Sequence, residues 1–245
     1  MQFECLTGFD TIGSVKLDRL VSRHRFMGRT QALRLLAAGR ISVNGSVARD
    51  GHREVDRFCA VSIDGDMIQT PQRALYLMVH KPVGVVSVTV DATHPTVIDL
   101  IDDPDRHCLH PAGRLDLNTS GLVLLTNDGR WSKRITEAAS KVAKVYRVET
   151  QDPVTENDVS AFARGFHFHT EDITTLPAEL ERIGDRVARL TLHEGRYHQI
   201  KRMFWRTGNR VLKLHRESIG GITLPADLGP GEWRHLSMKE IERIP

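Results

Sequence analysis

The N-terminal part of the chain combines helical and strand-like patterns of apolar residues. Apolar positions within residues 17–21 share one helix face, Thr30 is placed to cap a second helix, and Gly39 suits the left-handed position that follows its end. Apolar and polar residues then alternate on both sides of Asn44-Gly45, a dipeptide typical of two-residue hairpin turns. Residues 15–64 are therefore predicted to form a small domain of two helices and a hairpin.

A polar stretch at residues 65–74 is typical of a linker, and strand-like and helical patterns mix beyond it. Strands are predicted at residues 76–79, 121–126, 145–149, 188–192 and 211–214, and Gly184-Asp185 predicts a further hairpin. Helices are predicted at residues 96–101, 131–139, 156–166, 198–207 and 238–244. Because the strands do not alternate strictly with helices, we expect residues 75–245 to form an α+β domain with a mixed, largely antiparallel sheet and flanking helices.

Length and composition place the chain among soluble globular proteins. Its 245 residues suffice for one or two domains, and its 40% hydrophobic and 27% charged residues exclude a disordered chain. It has no run of about 18 apolar residues and no basic start followed by an apolar segment, which argues against a membrane span or a signal peptide. Residues 1–14 are treated as a leader of open role. The three widely spaced cysteines argue against disulfides and favour the reducing cytoplasm.

The net charge of +3 conceals two clusters of basic residues. Seven arginines and no acid lie between residues 19 and 49, namely Arg19, Arg23, Arg25, Arg29, Arg34, Arg40 and Arg49. A second cluster at residues 193–216 sets Arg196, Lys201, Arg202, Arg206, Arg210, Lys213 and Arg216 against Glu194 alone. Guanidinium groups bind phosphates in a bidentate manner and displace counterions. Solvated helix faces would explain one such cluster, but two of them favour a nucleic-acid partner.

Asp116 is the candidate for chemistry, because it lies in a polar turn that leads directly into an apolar strand. A carboxylate at the mouth of a buried strand is held rigidly and can face a cleft. Capping of the turn by the aspartate is the structural alternative, and the pattern alone leaves both open.

Two metal sites are considered and neither fits. A calcium loop beginning at Asp116 would need a bidentate glutamate at its twelfth position, where the chain has Asn127. His193 and His198 resemble a zinc-protease pair, but a spacing of five residues would separate them by about 140° on a helix. No metal is therefore expected.

Several segments in order resemble the pseudouridine synthases, specifically the branch that acts on ribosomal RNA and carries an S-four-like RNA-binding module in front. The central segment is GRLDLNTSGLVLLTNDG at residues 113–129. The others are KPVGVVSV at 81–88, HPTVIDLI at 94–101, KVYRV at 144–148, EGRYHQIKRMF at 194–204 and HRESIGGITLPADLGPGEWRHL at 215–236. GRTQALRLLAAGRISVNG at 28–45 resembles the S-four-like module, whose helix arginines contact structured RNA.

The resemblance implies roles for three residues. Asp116 matches the family's essential aspartate, which acts on the ribose either by attacking the anomeric carbon or by removing a proton. Tyr146 matches the tyrosine that lies against the target base, although a strand tyrosine also suits core packing. Lys201 matches the basic partner of the aspartate and would keep it ionised, whereas an isolated lysine would be expected on the surface.

Other residues are expected to contact RNA. Arg114 matches an arginine that fills the space left by the flipped base, and an ordinary phosphate contact is the alternative. Arg196 and Arg202 are expected to bind substrate, and Arg19, Arg23, Arg29, Arg34 and Arg40 to bind RNA through the N-terminal domain.

The resemblance implies that the chain isomerises a uridine of small-subunit (16S) ribosomal RNA to pseudouridine. This reaction needs no cofactor, and the chain has neither of the common nucleotide-binding glycine motifs. The expected partner is ribosomal RNA or a ribosome assembly intermediate, bound by a monomer and without a membrane. The alternatives are a synthase for large-subunit RNA and a non-catalytic RNA-binding assembly factor.

Overall fold

The computed structural model describes residues 14–24, 27–169 and 171–245. Most of the expected leader, and Arg25 of the first arginine cluster, lie outside the described residues. The chain divides into two compact units, Met1–Ala74 and Leu75–Pro245. No helix of the described residues is long and apolar enough to span a membrane.

The first unit contains the two expected helices and a small sheet. The helices are α1 (Leu17–Arg23) and α2 (Arg29–Ala37). Beside them are a four-stranded sheet in the order β3-β2-β5-β6 and a separate pair of strands, β1 and β4. The strands are β1 (Val15–Lys16), β2 (Ile41–Val43), β3 (Ser46–Val47), β4 (Glu54–Val55), β5 (Val61–Ile63) and β6 (Asp66–Gln69). The buried core side chains include Leu17, Val21, Ala32, Leu36, Ile41 and Val61.

The turn residues act as the sequence indicates, apart from the start of α2. Asn44 and Gly45 both have positive φ, 51° and 79°, as the tight hairpin turn between β2 and β3 requires. Gly39, at φ 71°, follows α2 and donates its backbone N–H to Leu36, and Arg40 donates to Leu35, which together form a Schellman motif. Gly28, and not Thr30, is the N-cap residue, so this helix begins without a side-chain cap.

Residues 66–69, which were predicted to belong to a linker, form β6 and pair with β5. The polar composition of this segment is that of a strand at a sheet edge, where only one side pairs with a neighbour.

The second unit is built on a nine-stranded sheet. Its main path runs β13-β14-β10-β15-β9-β7-β17, with β16 paired to β15 and β8 paired to β9. All pairs along this path are antiparallel except β15 with β9, which is parallel. The strands of the unit are β7 (Tyr76–Lys81), β8 (His110–Pro111), β9 (Ser120–Thr126), β10 (Lys144–Thr150), β11 (His167–Phe168), β12 (Ile173–Thr174), β13 (Glu179–Arg182), β14 (Val187–Leu192), β15 (Val211–Ile219), β16 (Ile222–Thr223) and β17 (Trp233–His235). The expectation of an α+β domain with a mixed, largely antiparallel sheet is confirmed.

The helices of this unit belong to two hydrophobic clusters. Alternate residues of β9 separate them, since Val123 and Leu125 lie in one cluster and Leu122 and Leu124 in the other. Helices α4 (Glu156–Arg164) and α5 (Gln199–Arg206) pack in the first cluster, and α3 (Gly129–Thr136) and α6 (Met238–Ile241) in the second. Short 3-10 helices at Arg106–Cys108 and Ala138–Ser140 complete the unit.

The predicted helix at residues 96–101 is wrong. The Thr96 hydroxyl donates to the Asp99 carboxylate at 2.9 Å, and the Thr96 backbone N–H donates to the same oxygen at 2.8 Å. Thr96 also forms an isolated parallel bridge with Val86. The backbone that follows forms only turns, in which the Asp99 N–H donates to the Thr96 carbonyl at 3.2 Å and the Ile101 N–H donates to the Ile98 carbonyl at 3.1 Å. Pro104 disfavours the helical conformation at the residue before it, so the segment cannot extend into a longer helix. Val97 and Ile101 are still buried as the pattern indicated.

Candidate active site

Asp116 lies in the loop that connects β8 to β9, four residues before β9 begins. Its carbonyl oxygen accepts a hydrogen bond from the Thr119 N–H at 3.0 Å, and the next carbonyl, that of Leu117, accepts one from Gly84 at 2.9 Å. The Asp116 side chain remains 31% exposed. The loop therefore holds its backbone in place and leaves the carboxylate open to a ligand.

Lys201 projects from α5 to this carboxylate. Its ammonium Nζ donates to Asp116 Oδ2 at 2.8 Å. The helix is fixed by the buried side chains of Ile200, Met203 and Phe204. The structure thus brings together the predicted carboxylate and its predicted cation from positions 85 residues apart.

The N-terminal end of α5 is set by a buried polar cluster. Gln199 donates from its amide to Glu194 at 2.8 Å, and Glu194 also accepts a bond from the Leu176 backbone at 2.9 Å. Arg196 completes the cluster through a 3.0 Å ion pair with Glu194. Arg196, which was predicted to bind substrate, is therefore already engaged in the loop that positions Lys201.

His198 is a site residue that the sequence analysis considered only as a metal ligand. Its Nε2 lies 3.5 Å from Asp116 Oδ2, and its ring stacks on Tyr197 at 3.9 Å. His193, its supposed zinc partner, instead contacts the Lys141 carbonyl through Nδ1 at 3.0 Å. The spacing of three residues between His198 and Lys201, at the start of a helix, could have indicated that both side chains face the same group.

Tyr146 lies on β10 and is only 7% exposed. Arg216 of β15 is its direct cross-strand partner and also pairs with Gly121 of β9. An Arg216 Nη1–H lies 3.5 Å from the Tyr146 hydroxyl and 3.3 Å from the Arg114 carbonyl oxygen, and Nε donates to the Leu122 carbonyl at 2.8 Å. Arg216 therefore connects Tyr146 with the segment that carries Asp116.

The sequence analysis assigned Arg216 to a basic RNA-binding cluster, but its side chain is 2% exposed. The alternation of side chains along β15 could have indicated this burial, because Arg216 lies on the same sheet face as the buried Leu214. Its Nη2 is buried and has no hydrogen-bond partner among the described residues.

Two further buried cations lie near this arginine. Burial lowers the pKa of Lys81 to about 8, an effect that Asp116 opposes and Arg216 reinforces. Burial and the Arg216 charge likewise lower the pKa of Lys144 to about 8. Lys81 Nζ donates to the Pro82 carbonyl at 2.8 Å. The site therefore has an excess of positive charge around one carboxylate.

The remaining arginines predicted to bind substrate have different surroundings. Arg114 is exposed, and only its carbonyl oxygen is fixed, by Arg216. Arg202 forms a 2.7 Å ion pair with Glu171, and its guanidinium lies 3.7 Å from the centre of the Phe168 ring. Arg202 is therefore held beside the site, whereas the Arg114 side chain is exposed and has no acidic partner among the residues that the structure describes.

The arginines predicted to bind RNA in the first unit are all exposed, but two have acidic partners. Arg29 pairs with Asp18 at 2.9 Å, and Arg40 Nε donates to Asp64 at 2.7 Å. Asp18 immediately precedes the acid-free stretch and Asp64 lies well beyond its end, so the local charge pattern did not indicate these partners. No side-chain carboxylate pairs with Arg19, Arg23 or Arg34 in the described part of the chain.

Comparison with known proteins identifies the family. The profile of the RNA pseudouridylate synthase family matches residues 75–205. The chain is 52% identical to the ribosomal small subunit pseudouridine synthase A of Pseudomonas aeruginosa, over 93% of this chain and 99% of the relative. It is 43% identical to the protein of the same name from Escherichia coli, over 94% of this chain and 100% of the relative.

A solved structure gives the same result. A crystal structure of a pseudouridylate synthase superposes with a TM-score of 0.69 at 38% identity, covering 95% of this chain and 100% of that one. The chain therefore belongs to the RNA pseudouridylate synthase family.

Proposed function

We propose that the protein isomerises a uridine of small-subunit (16S) ribosomal RNA to pseudouridine, with Asp116 as the catalytic aspartate. The observation that carries the proposal is the 2.8 Å pair of Lys201 with a partly exposed Asp116 carboxylate at the mouth of β9. The names of the relatives, which are ribosomal small subunit pseudouridine synthases, support the choice of RNA.

The reaction breaks the bond between the ribose and uracil N1, turns the base, and joins C5 of the base to the same ribose carbon. The proton on C5 is released and N1 gains one, so no external group and no electrons are transferred. Asp116 acts on the ribose, and Lys201 holds its carboxylate in place through their 2.8 Å ion pair. The site needs no cofactor to balance this reaction.

Tyr146 and Arg114 handle the base and the gap it leaves. Since Tyr146 is 7% exposed, its ring can be reached only by a group inserted into the site, as a flipped uracil would be. The exposed Arg114 side chain fills the vacated position in the RNA and offsets part of the cost of unstacking, a few kcal/mol. Arg216 supports both residues through its contacts with the Tyr146 hydroxyl and the Arg114 carbonyl.

The first unit is proposed to be an S-four-like RNA-binding domain that covers residues 15–64. Its exposed arginines, Arg19, Arg23, Arg29, Arg34 and Arg40, would contact phosphates, with Arg196 and Arg202 beside the catalytic site. We propose that the protein acts as a monomer. We place this activity in the cytoplasm, on ribosomal RNA or an assembly intermediate.

The test is a map of pseudouridine in ribosomal RNA from a strain of the source organism that lacks the gene. We expect one small-subunit site to lose pseudouridine, wild-type protein to restore it, and Asp116→Asn to fail. Loss of a large-subunit site would instead favour a synthase for that RNA. Unchanged pseudouridine in both RNAs would favour a non-catalytic assembly factor.

A further inference from the structure

A cleft of about 450 Å³ lies directly beside Asp116. Lys201 and His198, which both contact the Asp116 carboxylate, also line this cleft. The cleft and the catalytic site are therefore continuous. Because the substrate is a polynucleotide, the chain on either side of a uridine at Asp116 must continue over such neighbouring surface.

Trp205 forms one wall of the cleft and is 73% exposed. The buried face of α5 consists of Ile200, Met203 and Phe204, so the helix does not need an indole at position 205 for packing. A large aromatic side chain left in water beside a catalytic site suits a ligand with a flat ring.

The other lining residues include a fixed aromatic ring and cations. Phe168 is 4% exposed, with the Arg202 guanidinium stacked on its ring at 3.7 Å and held there by Glu171. Arg206 also lines the cleft and has no acidic partner among residues 14–24, 27–169 and 171–245. Stacking surfaces interleaved with guanidinium groups are the chemistry by which proteins hold unpaired nucleotides.

We propose that this cleft binds an unpaired nucleotide next to the target uridine, with its base stacked on Trp205 and a phosphate near Arg206. The inference rests on the proposed function, because it requires an RNA substrate whose uridine reaches Asp116. It adds a subsite that holds a flanking base and so contributes to the choice of RNA.

The test measures RNA binding to full-length protein that carries Asp116→Asn, so that turnover does not interfere. The probe is a hairpin of small-subunit ribosomal RNA selected by its binding to this protein, with an abasic nucleotide placed in turn at each unpaired position. Trp205→Ala should weaken binding of the intact hairpin by about 5- to 100-fold, and Trp205→Phe by much less. Met238→Ala, which alters another exposed apolar side chain in the same unit, is the control and should have no effect.

The abasic series identifies the contact. At one position, the abasic substitution should weaken binding to the protein with Trp205 intact as much as Trp205→Ala weakens binding of the intact hairpin. The same abasic substitution should cause no further loss of affinity in the Trp205→Ala protein. Tryptophan emission gives a second readout, because Trp131 is buried and Trp233 is partly buried, whereas Trp205 is largely exposed. Bound RNA should protect Trp205 from iodide quenching.

Unchanged affinity of Trp205→Ala, or equal abasic costs in both proteins at every position, would overturn the subsite. Isomerisation by the Met238→Ala control with Asp116 intact, followed as tritium release from uracil C5 at saturating RNA, should equal that of the wild type. Absence of isomerisation in the wild-type protein would overturn the proposed function, and the binding results would still decide the cleft. The two failures are therefore distinguishable.

Discussion

At the centre of the site, Lys201 Nζ lies 2.8 Å and His198 Nε2 lies 3.5 Å from Asp116 Oδ2. Among the described residues, Asp116 is the only acid in this contact. We expect Asp116→Asn to leave less than about one per cent of the isomerisation rate, since loss of a nucleophile or base costs several powers of ten. RNA affinity should hold or increase, because the change removes a negative charge from a basic cleft. Single-turnover tritium release and filter binding measure the two effects. Asp102→Asn, at an exposed position of the same unit, is the control and should alter neither quantity.

Lys201 holds that carboxylate in position through its 2.8 Å ion pair. Lys201→Met should lower the isomerisation rate at saturating RNA by about 100-fold, because a carboxylate without this partner is displaced from the ribose. Lys133→Met changes an exposed lysine that pairs with Glu137 and should leave the rate unchanged. Single-turnover tritium release measures both rates, and a Lys201→Met protein with full activity would contradict the role.

Lys81 links stability to alkaline pH. Its pKa is about 8 in the folded protein, against an ordinary value of 10.5, so the unfolded chain binds more protons between these pH values. The unfolding free energy of the wild-type protein should therefore gain a contribution from Lys81 as pH rises from 8 to 10.5. Lys81→Met should remove this contribution. The free energy of unfolding of the wild type should therefore rise relative to that of the variant over that pH range. Urea denaturation at a series of pH values measures the difference, and parallel curves would contradict it.

At the scale of elements, the parallel pairing of β9 with β15 requires a glycine. Gly121 has φ 111°, and a Cβ added there would collide with the Arg216 backbone N, C and O atoms. Gly121→Ala should destabilise the second unit by about 3 kcal/mol or more, since neither backbone can move without breaking the pairing. Gly113→Ala is the control, because Gly113 has a similar φ of 100° and open space around a Cβ. Thermal unfolding should show a clearly larger loss for Gly121→Ala, and equal losses would contradict the steric argument.

Local patterns correctly predicted the elements that are determined by residues close to one another in sequence. The hairpin at Asn44-Gly45 follows from a turn that only such residues favour, and α5 follows from its apolar stripe. The helix predicted at 96–101 is absent although Thr96 and Asp99 form the same bonds that begin α4, because Pro104 follows before a helix can extend, and periodicity does not register this. The resemblance supplied Asp116 and Lys201, and the structure supplied His198 and the burial of Arg216, because both depend on contacts distant in sequence.

At the scale of the whole molecule, the arginines of the first unit should set the salt dependence of RNA binding. Arg29 and Arg40 already pair with Asp18 and Asp64, and they must exchange these partners to bind phosphate. Replacement of Arg19, Arg23 and Arg34 by glutamine should therefore lower the slope of log affinity against log salt by about 2 to 3, and replacement of Arg29 and Arg40 by less than 1. Binding titrations from low to high salt give the slopes. A larger effect of the Arg29 and Arg40 pair would contradict this ranking, and the rate at saturating RNA should change in neither variant.

Because β15 lies between β10 and β9 in the sheet, the catalytic unit cannot be completed before this strand has been synthesised. During synthesis β9 and β10 are made first, but they are not neighbours, and the place between them belongs to a strand that begins only at Val211. Until then each strand presents an edge of unpaired backbone N–H and C=O groups, which exposes the nascent chain to aggregation. A chain released before residue 211 would contain Asp116, Tyr146 and Lys201 and yet lack the strand that joins their supports. Catalytic competence therefore requires the synthesis of β15, after all three of these residues have been made.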